Sequence, residues 1–267
     1  MTRVTRLPAE RIAARLGLTY EGPCAGGEVG AAYVRHPDGR AAVLTEGTAA
    51  AAPLLATARA AGLPVADYQL VTEVEGRNVV VQSRLPGSPP TIVGPALVDQ
   101  MITLNERCAG LLTGTAYPQF PLYLRESGPG FCLHETVAAH SPRGAALLAW
   151  AGSLGAGELP GDDLVHADYH PGNVLATGDR ITGIVDWDNA GRGDRRLGLV
   201  TLRYDLELRT PALAAGLDAR LRAAVPPEVL RLCWAHMGIR LVDWAIRHHG
   251  PADVERWLTV AESGYDI

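Results

Sequence analysis

The stretch LVHADYHPGN, residues 164–173, sets His166, Asp168, His170 and Asn173 on one short loop, and Asp186 follows at the end of the apolar run ITGIV. Two imidazoles beside a carboxylate can hold zinc if three ligands converge and a fourth position stays open. That reading employs His166, Asp168 and His170 but leaves Asn173 and Asp186 idle, and Pro171-Gly172 ends any strand whose alternation would aim the ligands. Phosphoryl transfer employs the whole set. It needs a carboxylate to orient or deprotonate an attacking hydroxyl, and amide and carboxylate oxygens to hold Mg²⁺ on the β- and γ-phosphates. Asp168 and Asn173 lie on a tight loop, and Asp186 stands on a hairpin that returns beside it.

The elements that must position these groups can be read from periodicity and turn residues. Residues 7–17 predict a short helix, then AAYVRH, the turn PDGR and AAVLTE predict a hairpin, and an alanine-rich helix over 48–61 is closed by Gly62. Strands are expected at 68–74 and 78–82, so the first 82 residues form a small, mostly antiparallel sheet with helical cover. The cluster of proline and glycine at 85–90 marks the expected lobe boundary. Beyond it, the spacing of Leu97, Met101, Leu104, Cys108 and Leu111 predicts one helix, 117–140 reads as irregular, and a helix resumes over 143–157. A second hairpin turns at Thr177-Gly178-Asp179-Arg180. The remainder, 194–264, reads as helical, with a long amphipathic segment at 227–248 and Asp194 as an N-cap. The expected class is α+β, with a sheet-rich lobe at 1–84 and a mainly helical lobe at 85–267.

Composition excludes several functions. A net charge of −5 offers no basic face for nucleic acid or anionic lipid. No run of about 18 apolar residues is present to cross a membrane, and the N-terminal residues carry charges where a signal peptide needs an apolar core. The four cysteines form no C-x-x-C pair, which is consistent with reduced thiols and a cytoplasmic location. All 24 basic residues are arginine. Without lysine, neither a Schiff base nor a lysine phosphate clamp can form.

HADYHPGNVL followed by IVDWDNAGRGD resembles the aminoglycoside phosphotransferase and choline kinase-like family of small-molecule kinases, whose usual form is close to HGDLHPGNVL and IDWDDAGLGD. The resemblance is specific over 164–194 and extends loosely along most of the chain. It implies a bilobal protein-kinase-like fold with a small antiparallel sheet, a helical second lobe and ATP or GTP bound between them. Asp168 would be the catalytic base or hydroxyl-orienting group, with His166 pinning its loop, and Asn173 and Asp186 would hold Mg²⁺. The backbone at Gln82, Ser83 and Leu85 would meet the nucleotide base, and Gly26 and Gly27 would approach the phosphates. His170 and Asp188 would face the substrate, although an aspartate after a strand can equally cap a turn. The acceptor would be a small-molecule hydroxyl, as in an antibiotic or natural product, or a serine or threonine of a peptide precursor.

The pattern departs from the family at three places. Thr45 stands in AAVLTE where members carry a lysine, the following segment GTAAAAPLLATARAAGL has no glutamate to pair with it, and Gly198 stands where aspartate is frequent. Losing a charged phosphate contact removes on the order of 2 to 4 kcal/mol of transition-state stabilisation. Arg59 is a candidate replacement, and a nucleotide-poor pseudokinase that acts by binding a partner is the alternative function. Asp205, Glu207, Asp243, Glu262 and Asp266 are candidates to line a pocket for a cationic substrate, against the plainer reading of a solvated helical face.

Overall fold

The computed structural model describes residues 7–24 and 30–267. In chain order the elements are α1 (Ala9–Arg15), β1 (Thr19–Pro23), β2 (Ala32–Arg35), β3 (Ala41–Glu46), α2 (Ala51–Ala60), β4 (Tyr68–Val74), β5 (Arg77–Ser83) and α3 (Pro95–Glu106). They continue as α4 (His134–His140), α5 (Pro142–Ser153), β6 (Asp163–Val165), a 3-10 turn at Pro171–Asn173, β7 (Val174–Thr177), β8 (Arg180–Ile184), β9 (Gly191–Gly193), α6 (Arg196–Arg209), α7 (Pro211–Ala224), α8 (Pro227–His248) and α9 (Pro251–Glu262). The chain forms two compact units. One comprises Met1–Arg107 with Pro171–Ala190, and the other Cys108–His170 with Gly191–Ile267.

In the first unit, β1 to β5 form an antiparallel sheet in the order β1-β2-β3-β5-β4. Alternation sets its faces: Ala42 and Leu44 are buried on β3 while Ala41, Val43 and Thr45 between them are partly exposed. Ile12 and Ala13 of α1 pack with Val34, Leu44, Val79 and Val81 in one apolar cluster. β7 and β8 pair as a separate hairpin, and α3 clips its turn. The Gln100 side-chain amide donates to the Asp179 carbonyl at 2.7 Å and accepts from the Ile181 N–H at 3.1 Å.

The stretch 85–90 is not a free linker at the edge of this unit. Ser88 exchanges backbone hydrogen bonds with Ala176 at 3.1 and 2.8 Å, and the Thr182 hydroxyl donates to the Pro86 carbonyl at 2.6 Å. The boundary expected at 84/85 therefore does not coincide with the division made by contacts, because 85–90 becomes a short ladder on the hairpin and carries α3 with it.

The second unit is mainly helical. α8 is its axis, burying Leu230, Cys233, Trp234, His236, Met237 and Ile239. Gly238 lets α9 approach closely, since a Cβ there would stand 2.9 Å from that of Ala261. Asp194 accepts from the Arg196 N–H at 2.9 Å and so satisfies a backbone donor at the start of α6, one residue before its N-cap position Arg195. Other expectations change in detail. The helix expected through Leu111 ends at Glu106, the 143–157 helix spans Pro142–Ser153, and the segment read as irregular contains α4. None of the described helices is long and apolar enough to cross a membrane.

Candidate active site

In the second unit, β6 pairs antiparallel with β9 and delivers the chain to His166, which is buried. Its Nδ1 accepts the Asp168 N–H at 3.2 Å, so the imidazole folds the loop back on itself. Arg240 of α8 grips the same loop at two points. One amino group donates to the Ala167 carbonyl at 2.7 Å and the other to Asp168 Oδ1 at 2.9 Å. Asp168 Oδ2 faces His170 Nε2 at 3.5 Å, and His170 Nδ1 lies 4.0 Å from Asp205, which is itself paired with Arg209 at 2.7 Å.

Burial alone would raise the Asp168 pKa, but the His170 hydrogen bond and the nearby Arg240 and His170 charges overcome it and hold the carboxyl well below the usual range. Burial likewise opposes a proton on His170, and Asp168 and Asp205 outweigh it, raising that imidazole. Asp168 is thus a fixed carboxylate, suited to accepting a hydrogen bond and poor at keeping a proton at neutral pH.

In the first unit, the β7–β8 register sets Val174 against Ile184, and the Val185 N–H donates to the Asn173 carbonyl at 2.9 Å. The paired ends of one hairpin therefore carry Asn173 and, one residue beyond the last bond, Asp186. Asp186 sits in the left-handed region at φ 64°, a conformation an aspartate tolerates and that is frequent at functional sites. Both side chains offer hard oxygen donors, which fit Mg²⁺ better than zinc. Among the described residues no three His, Cys, Asp or Glu side chains gather as a metal group, so the zinc arrangement of His166, Asp168 and His170 does not form.

Asp188 is tied inward. It accepts from the Thr48 N–H and the Tyr68 hydroxyl, and loss of solvent around it, then the Asp186 charge, push it up to about 6. Desolvation and the two aspartates raise the Tyr68 phenol in turn. A Cβ on Gly47 would lie 3.0 Å from Asp188 Oδ1, so the glycine after β3 admits this carboxylate. Asp188 thus joins the hairpin end to the connection between β3 and α2.

Thr45 lies on β3 opposite Val80 of β5, and Gln82 opposite Val43. Ser83 is occupied at its backbone and hydroxyl by Asp67, both at 2.9 Å, and Leu85 packs over Gly183 of β8. Gly26 and Gly27 fall outside the described residues. Arg59 bonds the Ala66 carbonyl at 3.1 Å and pairs with Asp67 at 2.8 Å, so it serves the turn into β4.

The sequence gives no sign of Arg240, Tyr68 or Thr48 as partners of this chemistry, because each acts across a long sequence separation and sits in no motif. Of the carboxylates offered for a cationic ligand, Asp205 pairs with Arg209, Glu207 with Arg203, Asp243 with Arg247 and Glu262 with Arg143.

The chain resembles a thermostable mutant of aminoglycoside phosphotransferase APH(4)-Ia in ternary complex with ADP and hygromycin B, at TM-score 0.68 and 17% identity, covering 96% of this chain and 97% of that one. It also resembles the amicoumacin kinase hAmiN in complex with AMP-PNP, Ca²⁺ and amicoumacin, at TM-score 0.60, 15% identity and 98% and 94% coverage. The apoenzyme of macrolide 2'-phosphotransferase MphH from Brachybacterium faecium matches at TM-score 0.51, 19% identity and 95% and 97% coverage. No curated protein matches the sequence. The shared fold is the bilobal kinase-like one. The family model described as "phosphotransferase enzyme family" matches residues 25–233, most of the chain, and the protein is a member of that family and a phosphotransferase.

Proposed function

We propose that this phosphotransferase moves the γ-phosphate of ATP or GTP to a hydroxyl of a small molecule, an antibiotic or other natural product, with a serine or threonine of a peptide precursor as a further acceptor class. The observation that carries the reading is the Asp168 carboxylate, held ionised on a loop that runs directly into the hairpin bearing Asn173 and Asp186. The nucleotide and small-molecule complexes of APH(4)-Ia and hAmiN support it. In this reading 1–84 is the nucleotide-binding part, through Gly26, Gly27, Thr45, Gln82 and Ser83 with Leu85 just past its end, and 85–267 is the catalytic and substrate-binding part of a cytoplasmic enzyme. Asn173 and Asp186 would hold Mg²⁺, which when bound neutralises charge on the phosphates.

Asp168 accepts a hydrogen bond from the acceptor hydroxyl and so aims a lone pair of the hydroxyl oxygen at the γ-phosphorus. As the new P–O bond forms, the bond to the bridging oxygen breaks and its electron pair leaves with the nucleoside diphosphate. A carboxylate as acidic as Asp168 takes the hydroxyl proton late, so its part is chiefly aim. Because Asp205, Glu207, Asp243 and Glu262 are matched by arginines, the acceptor is neutral or weakly charged in preference to a polycation.

The test is mass spectrometry for the gain of one phosphate across hydroxylated metabolites and peptides incubated with Mg·ATP or Mg·GTP. Asp168→Asn is expected to lower transfer by 10²- to 10⁴-fold, and unchanged transfer by this variant rejects the reading. Thr45 and the absence of glutamate over 47–63 favour a second function, a pseudokinase that binds a partner. Calorimetry separates the two: magnesium-dependent micromolar nucleotide binding belongs to the enzyme, and no binding at millimolar nucleotide belongs to the pseudokinase.

A further inference from the structure

We infer that Arg240 is the positioning residue of the catalytic loop: from α8 it sets which oxygen of Asp168 meets the acceptor hydroxyl. The inference rests on the phosphotransfer reading above. Both of its bonds reach one short piece of chain, the Ala167 carbonyl at 2.7 Å and Asp168 Oδ1 at 2.9 Å. A planar guanidinium with two amino groups so engaged fixes the backbone before the aspartate and the side chain of the aspartate together, which a single point of contact cannot do.

The base of the contact is also fixed. α8 is deeply buried on both sides of Arg240, at Ile239 and Val242, and the Phe131 ring lies under the guanidinium with its centroid 6.0 Å away. His166 completes the hold from the other side of the loop by accepting the Asp168 N–H. With Oδ1 taken by Arg240, the oxygen presented to the acceptor is Oδ2, which has His170 Nε2 at 3.5 Å. Arg240 touches no reacting atom in this account. It acts through Asp168.

The experiment uses the full-length protein with Arg240→Gln and Arg240→Lys, and Mg·ATP hydrolysis, in which water is the acceptor, as the probe reaction. A ¹³C titration of the Asp168 carboxyl, assigned by its loss in Asp168→Asn, reads the contact without any substrate. Arg240→Gln is expected to raise the Asp168 midpoint by a pH unit or more and to lower kcat ten- to a hundredfold with nucleotide KM changed less than twofold. The acid limb of kcat should move up with the midpoint. Arg240→Lys keeps the charge but loses the two-point grip, so its Asp168 midpoint stays low while its kcat falls. That variant decides the matter should Arg240→Gln not fold.

Asp168→Asn with Arg240→Gln together should hydrolyse no more slowly than Asp168→Asn alone, since the two residues act as a unit. An unmoved Asp168 midpoint in Arg240→Gln, a wild-type kcat in Arg240→Lys or a further tenfold loss in the double variant overturns the role of Arg240. Equal hydrolysis by wild type and Asp168→Asn overturns the phosphotransfer reading itself, whatever the titration shows.

Discussion

Two buried or partly desolvated groups make opposite contributions to stability as pH changes, and in both burial is the largest cause. His236 uses Nδ1 to accept the Tyr123 N–H at 3.4 Å, which places its proton on Nε2, where no described residue accepts it. Burial, then the Arg240 charge, depress its pKa to about 3. An unfolded imidazole, with its ordinary pKa of about 6.5, takes up a proton that the folded one refuses. The contribution of His236 is therefore complete above about pH 6.5 and is lost as pH falls toward 3. Asp188, raised to about 6, works the other way: the folded state keeps its proton longer, so stability falls as pH rises from about 4 to 6 and then levels. Urea midpoints from pH 7.5 to 4.5 should show wild type losing ground to His236→Gln as pH falls. Asp188→Asn should gain on wild type as pH rises to 6. Parallel curves for wild type and variant would refute either assignment. At this scale the sequence was legible where a turn carried the meaning, as in the hairpin whose two ends carry Asn173 and Asp186, and illegible where a partner lies 72 residues away, as Arg240 does from Asp168.

Elements with strong periodicity or turn chemistry were readable: β2 and β3 around PDGR, β7 and β8 around Thr177 to Arg180, and α8 over 227–248. β6 and β9 were not, because three-residue strands have no period to detect and exist through each other, Leu164 opposite Arg192. α4 was hidden for a related reason: HETVAAH is too short to declare a face, and it is fixed by its packing on α5 and α8. The stretch 85–90 looked like a linker because proline and glycine mark turns generally, yet Gly87 is there to allow a close approach. At φ 95° its added Cβ would stand 2.5 Å from the Ala176 carbonyl oxygen. Gly87→Ala is expected to destabilise by about 2 to 4 kcal/mol through backbone strain plus the clash. Gly76→Ala is the control, since φ is 73° there but nothing lies within 4 Å, and about 1 to 2 kcal/mol is expected. Equal urea midpoints for the two variants would show that the contact with the β7–β8 hairpin does not matter.

Across the whole molecule, the absence of lysine changes how nucleotide must be held. Thr45 has no charge to give, the helix after it has no glutamate, and Arg59 is committed to Ala66 and Asp67. Asp188 instead links the hairpin end to Thr48 and Tyr68, an attachment between the hairpin that carries Asn173 and Asp186 and the connection before α2 that needs no lysine. On the proposed reading, phosphate neutralisation then falls on a divalent ion at Asn173 and Asp186. Two outcomes follow from this. Acyl-phosphate nucleotide probes, which acylate amines near bound phosphates, should label no side chain of this protein, since the sequence contains no lysine. Nucleotide binding should also depend steeply on magnesium. At a hundred times Kd, a ligand that binds only the folded state adds about 2.7 kcal/mol, or roughly 5 to 10 °C in Tm for a chain of this size. Melting with ATP or GTP and magnesium should show that rise, EDTA should abolish it, and Asp186→Ala should lack it while melting near the wild-type temperature without ligand. A rise of equal size in EDTA would show that the phosphates are held by the protein alone and remove Asp186 from its metal role.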